Sequence, residues 1–314
     1  MLMWKSHMEI GPFDIEVPDP PLREPHAVVM LRPWINVGNV GSVVLGRLKN
    51  MFDGQEIGRL RTPGNYYDFT RYRPEMKMAD GERHVTVPNT VFLSARREEA
   101  PDLVLIHLLE PHSKSEEYND AVVDVLEHLG IRAYVTVGSM YDSVPHSRPL
   151  SVSGSMKGWE TPPNLGGFTP GRSNYEGPTS MTGQISQMIS ARGVSTLNLM
   201  VRLPLYLQLD NDFAGSARIV EILGPMYGLG DASAERELGR QQYSQVAPAV
   251  LKDPQLAELV ERLESEYDNR RKDSGSAGES DGDSIALSPE IESFLEGLSR
   301  PTGDGGPGDA RGGE

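Results

Sequence analysis

Four short stretches of this 314-residue chain collect residue types that can bind anions or move protons. In the first, Asn36-Val37-Gly38-Asn39-Val40-Gly41-Ser42, glycines and asparagines stand where an apolar run ends and helical spacing begins. Such a loop leaves backbone N–H groups unpaired at the positive end of a helix, which suits an anion held at Gly38, Asn39, Gly41 and Ser42. The spacing is not the dinucleotide fingerprint, and no GK[ST] follows. The same glycines also serve a tight turn and close helix–strand packing, a reading that needs no ligand. In the second stretch, Glu110 follows the apolar run Leu103–Leu109 and precedes Pro111 and His112. It is a candidate base or hydroxyl acceptor, while Pro111 equally serves to end a strand. The third runs from Gly138 to Pro149, where His146 and Arg148 sit two apart between prolines. Arg148 suits a bidentate clamp on carboxylate or phosphate, and His146 a proton shuttle. The fourth holds Tyr175, Glu176 and Gly177, with Thr179 or Ser180 placed to cap a following helix. Glu176 is a candidate internal partner for Arg148.

Several chemistries lack their residues. There is no Cys, hence no disulfide scaffold, thiol nucleophile or cysteine-held metal. The seven His are scattered without ligand spacing, so neither a metal nor a cofactor is expected. No GxSxG elbow supplies an activated serine. A net charge of −15 argues against nucleic acid and against an anionic membrane surface. No apolar run approaches the roughly 18 residues of a spanning helix, and the first residues lack the apolar core of a signal peptide. The expected setting is cytoplasmic.

The elements that must position these stretches alternate. Ala27–Ile35, Leu103–Leu109, Ala133–Val137 and Val194–Leu203 read as buried strands. Gly41–Met51, Glu116–Leu129, Thr182–Ala191 and Asp212–Leu223 read as amphipathic helices. That order predicts an α/β fold, a mixed and mostly parallel sheet with helices on both faces. The candidate residues fall at strand C-terminal ends, where open α/β sheets bind ligands. The organisation expected is an N-terminal extension (1–24), an α/β core (25–230), a helical part (231–267) and an acidic tail (268–314). Most of that tail is too poor in apolar residues to order itself. Within it Leu287, Ile291, Phe294, Leu295 and Leu298 follow helical spacing over residues 288–298, a short amphipathic helix on a tether. It suits docking on its own body, on a sister subunit or on another protein.

Together, Gly38-Asn39-Val40-Gly41, Glu110-Pro111, Val144-Pro145-His146-Ser147-Arg148-Pro149 and Tyr175-Glu176-Gly177-Pro178-Thr179 resemble the proteasome assembly chaperone two (PAC2) family in its actinobacterial-type form. The resemblance covers roughly Val28 to Leu229. It departs from the family at Asn36-Val37, at Ser147, at Ser180, and at Pro204-Leu205-Tyr206, where the family commonly has Pro-His-Tyr. It implies a nucleoside phosphorylase/hydrolase-like core and a homo-oligomer, a trimer being favoured. Relatives assist proteasome assembly, some docking through a C-terminal hydrophobic–Tyr–X tail. This chain ends Gly312-Gly313-Glu314 and lacks one.

The leading expectation is a non-enzymatic homo-oligomeric scaffold or chaperone-like adaptor, with an unidentified protein partner and the tethered helix for docking. The alternative is a small-molecule site, nucleoside- or anion-like, or a hydrolytic one, using Gly38–Ser42, His146, Arg148 and Glu176. A third reading makes Arg148 and Glu176 a buried structural pair.

Overall fold

The structure, a computed structural model, describes residues 7–171 and 179–273. Tyr175, Glu176, Gly177 and the helix expected at 288–298 lie outside the described residues. In chain order the elements are β1 (His7–Ile10), β2 (Phe13–Glu16), β3 (His26–Arg32), α1 (Val40–Met51), β4 (Gln55–Leu60), β5 (Glu75–Ala79), β6 (Glu82–Thr86), β7 (Val91–Ala95), β8 (Leu103–Leu109), α2 (Ser115–His128), β9 (Ala133–Asp142), β10 (Val152–Lys157), α3 (Met181–Ala191), β11 (Ser195–Pro204), α4 (Phe213–Tyr227), α5 (Ser233–Ser244), α6 (Ala247–Lys252) and α7 (Pro254–Asp273).

Nine strands form one mixed sheet, ordered β1-β2-β4-β7-β8-β3-β9-β11-β10. Its centre, β8, β3, β9 and β11, is parallel. These strands are buried on both faces, which is why they read as continuous apolar runs. Alternate residues serve opposite layers: Val28 and Met30 of β3 pack with α1 and α4, while Ala27, Val29 and Leu31 pack with α2 and α3. The result is the α/β fold expected, helices covering both faces.

Several boundaries move for identifiable reasons. β3 stops at Arg32, not at Ile35, because Pro33 has no N–H to give the ladder and Ile35 turns to φ 55°. β9 runs on from Val137 to Asp142, held in register by β11. The sheet begins before residue 25: β1 and β2 form an edge hairpin, and Phe13 packs edge-on against Phe92 and Tyr118. β4, β7 and β10 gave no readable pattern, being short and partly polar. The last helix continues to Asp273, past the boundary expected at 267, with Leu259, Val260 and Leu263 buried along it. Among the described residues no helix is long and apolar enough to cross a membrane.

Candidate functional site at the strand ends

The loop after β3 spends its polar groups on itself. Asn36 is buried, and its Oδ1 accepts from the Ser42 amide at 3.3 Å, satisfying one N–H that an anion would otherwise take. Asn36 Nδ2 donates to Ser42 Oγ at 3.1 Å and to Asn39 Oδ1 at 3.3 Å. Asn39 Nδ2 reaches the Asp210 carbonyl at 2.7 Å. Gly38 takes φ 55°, and its carbonyl accepts from the Asp212 amide at 2.7 Å. A Cβ on Gly38 would stand 2.8 Å from that of Asp212, and one on Gly41 2.8 Å from that of Met30. Both glycines are therefore required by close approach, the reading that needs no ligand.

Asp212 joins this loop to the C-terminal helices. Its Oδ1 caps α4 by accepting from Gly215 N at 2.7 Å, and its Oδ2 accepts from the Tyr243 hydroxyl at 2.8 Å. Burial pushes the Asp212 carboxyl up, opposed by those same hydrogen bonds. The Tyr243 ring lies edge-on to His146, with centroids 6.3 Å apart. His146 in turn shares Nδ1 with the Tyr206 hydroxyl at 2.8 Å, and that hydroxyl also accepts from the His146 amide at 2.8 Å. Burial lowers the His146 pKa, Glu264 opposing. Burial raises the Tyr206 hydroxyl to about 12.

Arg148 meets α7. Its Nε and Nη2 fork onto Asp268 at 3.0 and 2.8 Å, and its Nη1 lies 3.6 Å from Glu264. Ser147 Oγ also donates to Glu264, and the Tyr267 hydroxyl to the Pro149 carbonyl at 3.0 Å. This corrects the expected pairing with Glu176: the carboxylates that Arg148 takes come from a helix 120 residues away in sequence. The guanidinium is about a third exposed, so the pair is screened by solvent. Arg148→Ala is accordingly expected to leave the body folded, with a small drop in melting temperature that shrinks further in high salt. A thermal unfolding series against salt checks this, and a collapse of the fold would restore the buried-pair reading.

Glu110 belongs to a different set of contacts. Its amide donates to the Arg32 carbonyl at 2.9 Å, and its own carbonyl accepts from the Tyr72 hydroxyl at 3.0 Å. Tyr72 lies against His112, with ring centroids 4.5 Å apart. Burial raises the Glu110 carboxyl, with His112 opposing.

Sequence reasoning missed the ion pair between Asp142 and Arg202, both buried at the last turns of β9 and β11. It also missed Asp212, Tyr206 and Tyr243. Asp142 lay inside the stretch singled out at 138–149, and Tyr206 at the Pro-Leu-Tyr departure, so each had a local signal. Neither had a visible partner. A cleft of about 440 Å³ lies elsewhere, on the α2 side, lined by Arg61, Tyr66, Lys114, Glu117, Asp120 and Asp124. It includes no residue predicted from sequence, and its groups pair internally: Tyr66 donates to Glu117 at 2.5 Å, and Lys114 lies 3.4 Å from the same carboxylate. Among the described residues no cluster of three or more His, Asp or Glu is placed to hold a metal.

A three-layer α/β body whose strand-end loops are tied to its own C-terminal helices defines the class. The PAC2 family model matches residues 30–241, and the chain belongs to that family. A Mycobacterium tuberculosis protein of unknown function is 21% identical, with 87% of this chain and 94% of that one covered, at a TM-score of 0.72. A PAC2 family protein from Streptomyces avermitilis is 24% identical over 75% and 99% of the two chains, with a TM-score of 0.62. A proteasome-assembly chaperone homologue from Mycobacterium tuberculosis is 22% identical over 74% and 99%, with a TM-score of 0.61. At these identities the likeness is one of fold. No curated protein matches the sequence.

Proposed function

We propose that the protein is a non-enzymatic, self-associating scaffold or chaperone-like adaptor for protein assembly. The observation that carries this reading is how the strand-end polar groups are used. Asn36, His146, Arg148 and Asp212, placed where an α/β enzyme would present ligand contacts, bind the chain's own loops and the helices α5 and α7. The description of one structural relative as a proteasome-assembly chaperone homologue agrees with it. Self-association, as a trimer, is part of the proposal, as is the tail helix at 288–298 as the partner-docking segment. The acidic balance of the chain favours a basic partner surface, chiefly through association rate.

The test is affinity capture from lysate of the native host, comparing the full chain with a 1–283 truncation that keeps α7 whole. The expected result is a stoichiometric protein partner, lost or weakened with the tail. Recovery of the protein alone in both cases, together with thermal stabilisation by a nucleoside or phosphate ester that Arg148→Ala abolishes, would overturn the proposal in favour of a ligand site.

A further inference from the structure

We infer that the β5–β6 hairpin is a self-association arm, docking on the body of a second copy of this chain. The strands pair only with each other, outside the nine-stranded sheet. Every residue of both strands is exposed. A two-stranded ribbon in water is marginal by itself and needs a surface to complete it. This one is built to meet a surface. Met76 and Met78 share one face of β5, Val85 stands opposite Met76, and Val87 continues that face beyond β6. They are 62%, 66%, 57% and 38% exposed, an apolar face turned to solvent. The opposite face carries Glu75, Lys77, Glu82, His84 and Thr86, which suits water.

The charge on the arm selects the occupant. From Arg71 to Val87 four cations, Arg71, Arg73, Lys77 and Arg83, face three carboxylates, Glu75, Asp80 and Glu82. The arm is thus locally basic on a chain of net charge −15. An acidic surface complements it, and the most abundant acidic surface available to this chain at its own concentration is another copy. The root of the arm extends the patch. Tyr72 anchors it to the Glu110 carbonyl at 3.0 Å, and Glu110 binds Arg32 at the end of β3. Two residues on, Trp34 is 57% exposed, beside an Ile35 held at φ 55° by the Ser139 amide donating to its carbonyl at 2.9 Å. A β-branched residue in that region is strained, and the strain here serves to keep Trp34 turned out. Exposed Trp is the residue type most often at the centre of an interface.

This inference rests on the self-associating reading and assigns its contact. Sedimentation equilibrium compares the full chain with Met76→Asp/Met78→Asp and with a variant whose residues 75–86 are replaced by a short Gly-Ser linker. All the altered positions lie outside the core, so circular dichroism and melting temperature should match wild type. The expected result is an oligomeric wild type and at least about tenfold weaker self-association in both variants. Variants that assemble like wild type would overturn the arm and leave the scaffold reading standing. A wild type that is monomeric at tens of micromolar would overturn both. A heterologous partner lost by the linker variant while wild type stays monomeric counts against this inference, since it assigns the arm to something other than a second copy.

Discussion

Asp102→Ala is expected to lower the unfolding free energy by about 3 kcal/mol, the scale for removing one partner of a buried charge cluster. The carboxylate is fully buried at the start of β8. Four donors converge on it: the Arg23 amide at 2.9 Å, Arg23 Nε at 3.2 Å, Arg23 Nη2 at 2.7 Å and the Arg97 amide at 3.1 Å. Alanine would leave two backbone N–H groups and a guanidinium facing an apolar wall, and a buried donor without a partner costs more than the bond it replaces. Burial by itself would raise the Asp102 pKa. The hydrogen bonds from Arg23 and Arg97 outweigh it and hold the group down at about 2. A depressed carboxylate contributes stability that is complete above its unfolded value, near 4, and is lost as pH falls toward 2. Chemical unfolding at pH 7, 4 and 2 checks both parts. The wild type should lose stability steeply across the lower interval, and Asp102→Asn should flatten that slope. A variant with the wild-type slope would place the titration elsewhere.

Gly38→Ala is the second large effect, expected at about 2–4 kcal/mol from overpacking and a left-handed backbone together. The added methyl would meet Asp212 Cβ at 2.8 Å and Leu203 Cδ1 at 3.1 Å, at a φ of 55° that alanine rarely adopts. Neither neighbour gives way easily. Asp212 is tied to Gly215 and Tyr243, and Leu203 is buried in β11. The measurement is thermal unfolding of the variant beside Gly46→Ala, whose new methyl meets nothing within 4 Å. Gly46→Ala should be neutral or slightly stabilising, helix α1 gaining a better helix former. Equal behaviour of the two would mean that the Gly38 loop relaxes freely, and that the glycine serves something other than packing.

Gly38 and Arg148 divide what was legible in the sequence from what was not. The central strands, their four covering helices and the positions of Gly38, Glu110, His146 and Arg148 at strand ends follow from local pattern. Each depends on residues within one element: apolar runs for strands buried on both faces, a 3.6-residue period for helices, Ser180 and Asp212 as caps. The family could be read as well, because its motifs lie in those same turns and the family model matches residues 30–241.

The partners could not be read. Asp268 for Arg148, Tyr206 for His146, Tyr243 for Asp212 and Arg23 for Asp102 come from 31 to 120 residues away, brought in by packing and not by any spacing along the chain. The flanking strands were hidden for a related reason. β4 and β5 carry little apolar pattern of their own and are strands through pairing with a neighbour. The sequence by itself determined the α/β core, the acidic surface and the strand-end placement of the polar loops, because these are set by local periodicity and composition. Only the tertiary structure decided that those loops clasp the chain's own helices, and that an apolar hairpin face is left outward. Both are facts about which distant surfaces meet, and non-local contacts leave no mark in a local pattern.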